Sequence, residues 1–367
     1  MPSTTTRRNA AGALDRLVRA RLDSVTFRQE AVSILKQAVG FDAWCWTLMD
    51  PGSGLPSHAM AENPVITGEQ ARFFQVIFQS EDVPLGIEPG SSTSRVHSLR
   101  AATGGDFPRS ARWREVLGPG GYGDELAAGL IAGGLCWGHL ALYRDAGQAA
   151  FGSEDTQFLA QVVPALAARL RQVAREPAVS WDEADEPGTL LLDRDLQLLA
   201  ATPQARRWLD ELAPLYPRTV GRLPAIVYAL AARLGVQPQD GAGRSARVRL
   251  RTPGGRWLAV SASTFSHTAA SMPPGVLAVT IGPPSADEVA SLLMHAWGLS
   301  AREREVARLL LAGRGMGDIA SGLTISLHTA RDHVRSLFQK VGVGSRRELV
   351  AALTGQSPDQ PETARLR

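Results

Sequence analysis

The sequence predicts a multidomain α+β chain. Two N-terminal parts alternate strand-like and helix-like segments, and an all-α C-terminal part follows. Three observations carry this. Residues 1–175 alternate short apolar runs with segments of helical period. Residues 188–283 open on a strand-like run at 189–192 and close on another at 275–281. After Pro283-Pro284, three Ser-x-x-Glu boxes (Ser285/Glu288, Ser300/Glu303, Ser345/Glu348) punctuate a helical run. The 367 residues suffice for two or three domains. With 44% hydrophobic and 20% charged residues, each domain can bury a core.

The first part, 1–175, holds a strand near 39–48 and an 18-residue stretch, 126–143, without a full charge. A membrane-spanning helix wants about 20 strongly apolar residues. This stretch is interrupted by Gly129, Gly133, Gly134, Gly138 and His139, so it reads as a hairpin of two buried strands turning at Gly133-Gly134. A helix follows Ser153, and Pro164 is expected to kink it. Residues 176–187, acidic and flanked by prolines, read as a linker. In 188–283, Pro253-Gly254-Gly255 turns a hairpin over 247–260, 276–281 is a closing strand, and His267 falls in an exposed loop. Residues 284–298 form a connecting helix on which Val289, Leu292, Leu293, Ala296 and Trp297 share a face. That face either pairs with a second copy or packs on its own domain. Residues 299–356 hold helices from Ser300 to a stop at Gly313, over 316–323, over about 326–341 and over 345–353. Residues 357–367 are expected to be a disordered tail.

Composition excludes several function classes. Lys36 and Lys340 are the two lysines, and neither sits in a P-loop or on a kinase-type strand. Cys45 and Cys136 are too few for a disulfide scaffold or a cysteine zinc cluster. The seven histidines form no His-Glu-x-x-His motif, and no Gly-x-Ser-x-Gly elbow is present. Neither catalytic residues, a metal nor a cofactor is expected. The N-terminus lacks a signal-peptide core, so the chain is expected in the cytoplasm.

On the helix from Ser326, Ala330, Val334, Leu337, Phe338 and Val341 form one apolar face. His328, Asp332, Arg335, Ser336 and Gln339 point away from it, with Arg331 on one flank and Thr329, His333 and Lys340 on the other. A short helix, a tight turn and a helix with a polar, basic outer face is the helix-turn-helix design. Residues 300–355 hold nine Lys/Arg against five Asp/Glu, a surplus of four, while the whole chain carries only +3. Positive charge is therefore concentrated where phosphate contact would need it.

The motifs Leu-Ser-Ala-Arg-Glu-Arg-Glu-Val (299–306), Asp-Ile-Ala (318–320), Ile-Ser-Leu-His-Thr-Ala-Arg-Asp-His-Val (325–334) and Lys-Val-Gly-Val-Gly-Ser-Arg-Arg-Glu-Leu-Val (340–350) closely resemble the LuxR-type helix-turn-helix. The resemblance implies a transcription regulator with double-stranded DNA, a second copy of the chain and RNA polymerase as partners. It places Arg331, Asp332 and Arg335 in the groove, with Thr329 and Lys340 reaching the backbone. Ser326, His328 and Ser336 complete the expected DNA-binding set. Ile319, Ala320, Leu323, Ile325 and Val334 would hold the two helices together. Asp332 is acidic on a DNA-facing surface, which suits a cytosine amino group.

Residues 39–48, 137–144 and 151–159 resemble a GAF domain, and 190–205 resemble the opening of a PAS domain, with Thr202 where asparagine is common. Both resemblances imply antiparallel sheets with helices on their faces. The first implies a pocket for a small molecule, with Trp44, Trp46, Trp137 and His139 as candidate lining. It also makes the strands of Cys45 and Cys136 neighbours, so an oxidant response is a further expectation. Two other readings stand beside the sensor. In one, the N-terminal region docks a protein and binds no ligand. The other, an acyl-lactone receptor, is disfavoured by the length of the region preceding the DNA-binding part.

Overall fold

The computed structural model describes residues 2–62, 70–79, 96–179, 181, 185–215, 223–236, 245–265 and 275–355. His267 and the 357–367 tail lie outside the described residues. The chain forms two compact units. Residues 1–170, 184–253 and 258–283 make the first, and residues 171–183, 254–257 and 284–367 make the second.

The first unit starts with α1 (Thr4–Arg19) and α2 (Ser24–Val39), whose first turns are capped by the side chains of Ser3 and Asp23. There follow β1 (Ala43–Asp50), β2 (Leu55–Glu62), α3 (Gln70–Gln79), β3 (Val96–Ser98), α4 (Leu99–Thr103), a π-helical turn at Trp113–Leu117, β4 (Tyr122–Ala132), β5 (Leu135–Asp145) and α5 (Ser153–Val173). The strands pair antiparallel in the order β2-β1-β5-β4-β3. The expected hairpin is present. Gly133 (φ 63°) and Gly134 (φ 74°) form its two-residue turn, and two successive positive φ values are what a type I′ turn needs. The α5 helix continues through Pro164.

The second sheet is built from β6 (Gly188–Leu192), β7 (Leu198–Ala201), β8 (Ser245–Arg251), β9 (Trp257–Thr264) and β10 (Leu277–Gly282), with α6 (Pro203–Leu212) and α7 (Ala225–Val236) inserted after β7. Thr202 caps α6 by accepting from the Ala205 amide, and its hydroxyl also accepts from the Thr189 amide on β6. The order β7-β6-β10-β9-β8 repeats that of the first sheet: second, first, fifth, fourth, third in chain order. No repeat in the sequence announces this.

The two sheets belong to one compact unit. The edge strands β2 and β8 meet, and α3 packs on α7. Asp50, 1% exposed at its side chain, ties them together. One carboxylate oxygen accepts from the Arg249 amide (2.9 Å) and Nε (3.1 Å), and the other from Arg249 Nη2 (2.7 Å) and the Gly52 amide (2.9 Å).

The second unit holds α8 (Ala286–Ala296), α9 (Ala301–Leu311), α10 (Met316–Gly322), α11 (Leu327–Val341) and α12 (Arg346–Thr354). The boxes at Ser285 and Ser300 form completely. At Ser345 the Glu348 carboxylate takes the amide of Gly344 instead of that of Ser345, so only half of the third box forms. The apolar face of α8 is covered. Ala290 and Met294 belong to the core of this unit, and α8 packs on α12. Of the expected face, Val289, Leu292, Leu293 and Ala296 are buried within the chain itself, and Trp297 packs against that core.

Candidate nucleic-acid interface and sensory face

The α10–α11 pair has helix-turn-helix geometry. The Leu323 amide closes α10 onto the Ile319 carbonyl (3.1 Å). Thr324 adopts φ 54°, a left-handed value rare outside glycine, and the Ile325 amide returns to the Ala320 carbonyl (3.0 Å). Ser326 then caps α11 by accepting from the Thr329 amide (3.0 Å), and the two hydroxyls bond at 2.9 Å. The inner face matches its expectation. Ile319, Ala320, Ala330, Leu337 and Val341 are buried in one core, with Leu323, Ile325, Val334 and Phe338 packed against it. Burying this stripe is what fixes the outer face of α11 in direction.

On that outer face His328, Arg331 and Arg335 are exposed and Asp332 is half-buried. Asp332 accepts from Arg335 Nη1 (2.9 Å) and lies 3.4 Å from His328 Nε2. The acid that would repel phosphate is thus flanked by two basic groups on its own helix. Exposed pairs of this kind contribute about 0–1 kcal/mol, so either can be exchanged for a nucleic-acid partner.

Ser336 and Lys340 are placed differently from expectation. Ser336 does not point to the outside: its hydroxyl donates to Glu303 Oε1 (2.8 Å), and Lys340 Nζ reaches Glu303 Oε2 (2.7 Å). Glu303 is buried on α9, where its Oε2 also accepts from the Ser300 amide (2.7 Å). Burial alone would raise its pKa. The bonds from Lys340, the Ser300 amide, Ser336 and the Ser300 hydroxyl outweigh this and hold it at about 2. In the sequence Glu303 shows only its capping role. The available signal was that Ser336 and Lys340, four apart, share one flank of α11.

The first sheet does not gather the four residues expected to line a pocket. Antiparallel pairing sets Trp44 opposite Leu142 and Trp46 opposite Leu140, on one face. Thr47 opposes His139 and Cys45 opposes Ala141, on the other. Trp46 is fully buried and meets Phe27 of α2 edge-on at 6.1 Å, and Trp44 Nε1 donates to Glu62 (3.0 Å). Both are core residues. Trp137 is the extra residue of a bulge in β5, and its Nε1 bonds back to the Ala132 carbonyl (2.9 Å) at the hairpin. His139 alone stands on the second face. The strands of Cys45 and Cys136, β1 and β5, are neighbours as expected, but the register parts the two thiols. Cys45 pairs with Ala141, five residues farther along β5, about 17 Å at the rise of a strand, far beyond disulfide reach.

The second face carries chemistry that sequence reasoning missed. Ala43, Cys45, Ala127, Ala141 and Tyr143 pack there with Leu99 and Leu117, and Phe107 and Trp113 lie over them, stacked at 6.0 Å. Glu125, opposite Tyr143, accepts from Arg112 Nε (3.1 Å) and Nη2 (2.6 Å), and both side chains are only 3% exposed. Trp113 Nε1 is buried without a hydrogen-bond partner. Burial pushes the Cys45 thiol and the Tyr143 hydroxyl up, so both stay protonated. The signal in the sequence was Asp124-Glu125, an acidic pair at the start of an otherwise uncharged strand.

Comparison with known proteins bears on the C-terminal part. The family described as bacterial regulatory proteins, luxR family, matches residues 298–353. The spore germination protein GerE of Bacillus subtilis (strain 168) is 44% identical over 55 residues, which is 15% of this chain and 74% of GerE. Among solved structures, Escherichia coli SdiA is 13% identical over 95% of this chain and 96% of its own, with a TM-score of 0.34. The Vibrio cholerae VqmA–ligand–DNA complex is 21% identical over 50% of this chain and 88% of its own, with a TM-score of 0.24.

Proposed function

The chain belongs to the luxR family of bacterial regulatory proteins, and from that premise we propose how this regulator of transcription reads DNA and what its N-terminal sheets do for it. The α11 helix enters the major groove with Arg331, Asp332 and Arg335 foremost. Ser326, His328 and Thr329 stand at its N-terminal end, where recognition helices meet base edges. The observation that carries this is the outward face with exposed Arg331 and Arg335 beside half-buried Asp332, set by the buried Ala330–Leu337–Val341 stripe behind it. Lys340 and Ser336 act from behind, holding α11 to α9 through Glu303. Two copies bind an inverted repeat, because one helix covers only a few base pairs. RNA polymerase is the further partner, and the cytoplasm is where DNA binding takes place. Among the described residues no helix is long and apolar enough to cross a membrane.

The two sheets, GAF-like and PAS-like, form the sensory part. The second face of the first sheet supports a small-molecule reading better than the tryptophans do. It combines apolar side chains with a few buried polar groups, the composition from which ligand sites are built. The runner-up is a protein docked on the same unit without a ligand. Genome-wide mapping of binding sites, followed by titration of a mapped operator, tests the DNA half. Arg335→Ala is expected to weaken operator binding by about 1–3 kcal/mol. Unchanged affinity removes Arg335 from the interface. A thermal-shift screen of cell metabolites on the full chain tests the other half. A hit lost in Trp113→Leu favours the ligand, and no hit across a broad screen favours the docked protein.

A further inference from the structure

Arg28, on α2, is 0% exposed, and among the described residues no carboxylate pairs with it. Its Nε donates to the Ser24 carbonyl (3.0 Å), which folds the guanidinium back over the first turn of the helix. Its Nη2 lies 3.0 Å from His58 Nδ1 on β2. Its Nη1 has no partner, and neither has the buried hydroxyl of Ser24, one turn away on the same helix face. Burial lowers the Arg28 pKa only to about 9, so the group keeps its charge at neutral pH. A buried, unpaired charge is among the most destabilising groups a fold can hold.

Among the described residues no neighbouring acid fills the role. Asp23 gives one carboxylate oxygen to the amides of Val25 and Thr26 and the other to the Thr26 hydroxyl, at the solvent end of the helix. Cys45 stays a neutral thiol. His58 accepts from Arg28 through Nδ1 and leaves the positive charge where it is. A second buried guanidinium, Arg169, donates to the Leu22 carbonyl (2.5 Å) just before the helix and lies 5.9 Å from the Phe27 ring. Since Asp23 already takes the first amides of α2, the open donors belong to side chains and not to the helix end.

We propose that Arg28 and Ser24 form an internal site for one small oxyanion of the carboxylate or phosphate class, held by Arg28 Nη1 and the Ser24 hydroxyl. Such an anion accepts from both open donors and neutralises the guanidinium, and arginine's planar fork suits carboxylate and phosphate alike. The site is separate from the face carrying Arg112 and Glu125. It lies on the helix-covered side of the sheet, where His58 pairs with Leu48 and shares the face of Trp46.

The test uses the full chain, with acetate and inorganic phosphate titrated separately against the salt of a bulky sulfonate at constant ionic strength. The wild type is expected to show a saturable rise in melting temperature with at least one of the two, growing with the logarithm of concentration above the dissociation constant. Arg28→Met is expected to abolish the rise, and Ser24→Ala to move it at least threefold to higher concentration. A wild type that does not respond, or that responds in parallel with Arg28→Met, overturns the proposal. Should Arg28→Met fail to fold, Ser24→Ala decides: a response superimposable on that of the wild type overturns the site.

Discussion

Glu303 joins two elements through one carboxylate: the first turn of α9 by its capping bond, and the second half of α11 by Ser336 and Lys340. Its pKa in the fold, about 2, lies below the ordinary 4.5. The stability it contributes is therefore fully present above pH 4.5 and lost as pH falls from there towards 2. The shift corresponds to something on the order of 3 kcal/mol. Glu303→Gln should lower the urea midpoint at pH 7. It should also show a smaller drop than the wild type between pH 5 and pH 3, and equal drops would remove Glu303 from the acid response. Asp332 invites the opposite substitution. In Asp332→Ala, Arg335 and His328 lose their partner on the helix. Binding to unrelated DNA should strengthen, and discrimination at the facing base pair should relax by about 1–3 kcal/mol if Asp332 reads a cytosine. Competition titrations with operator and random duplex separate these outcomes.

The strands and helices differ in how much of their role the sequence discloses. The helices of the second unit announce their starts through Ser285 and Ser300, and the β4–β5 hairpin announces its turn through Gly133-Gly134, because caps and turns depend on residues next to each other in the chain. The α7 helix, buried at Ile226, Val227, Ala229, Leu230, Ala232 and Leu234, is apolar almost all round and leaves no amphipathic period to find. The faces of β1 and β5 depend on register, which the sequence does not display. Trp44 and Trp46 look like pocket residues until pairing sets both on the buried face, Trp46 against Phe27 of α2, and Cys136 looks like a partner for Cys45 until the register separates them. Since Trp46 is core, Trp46→Ala should cost about 3–5 kcal/mol in a denaturant titration. Gly138→Ala, whose Cβ would meet Leu170 Cδ1 at 2.8 Å and the Thr47 carbonyl at 3.0 Å, should cost about 1–3 kcal/mol. A neutral result for either would mean that this face repacks.

Both N-terminal parts and the helical C-terminal part are readable from composition and punctuation, and so is the DNA-binding motif, because its residues lie within a single stretch of chain. What the sequence hides is that the two sheets share one strand order and one compact unit. Asp50 and Arg249, 199 residues apart, carry no local sign of each other. Removing one partner of such a buried pair leaves the other uncompensated, so Asp50→Ala should destabilise the first unit by about 3–5 kcal/mol. With the two sheets in one unit, tryptophan fluorescence and far-UV circular dichroism should shift together. Separate transitions would show that the sheets unfold independently.

The tether from Lys340 to Glu303 also bears on how this regulator meets ionic strength. Each phosphate that a cation neutralises releases condensed counterions, and the logarithm of affinity falls with the logarithm of salt by about 0.9 per contact. A lysine already paired inside its own fold releases none. Lys340→Met should therefore leave the salt slope of operator binding unchanged while lowering the protein's stability. Arg331→Ala, which removes an exposed cation from α11 that forms no ion pair among the described residues, should flatten the slope by about one contact per bound copy. A flatter slope for Lys340→Met would mean that DNA draws the lysine off Glu303, leaving the buried carboxylate without its cation whenever the operator is occupied.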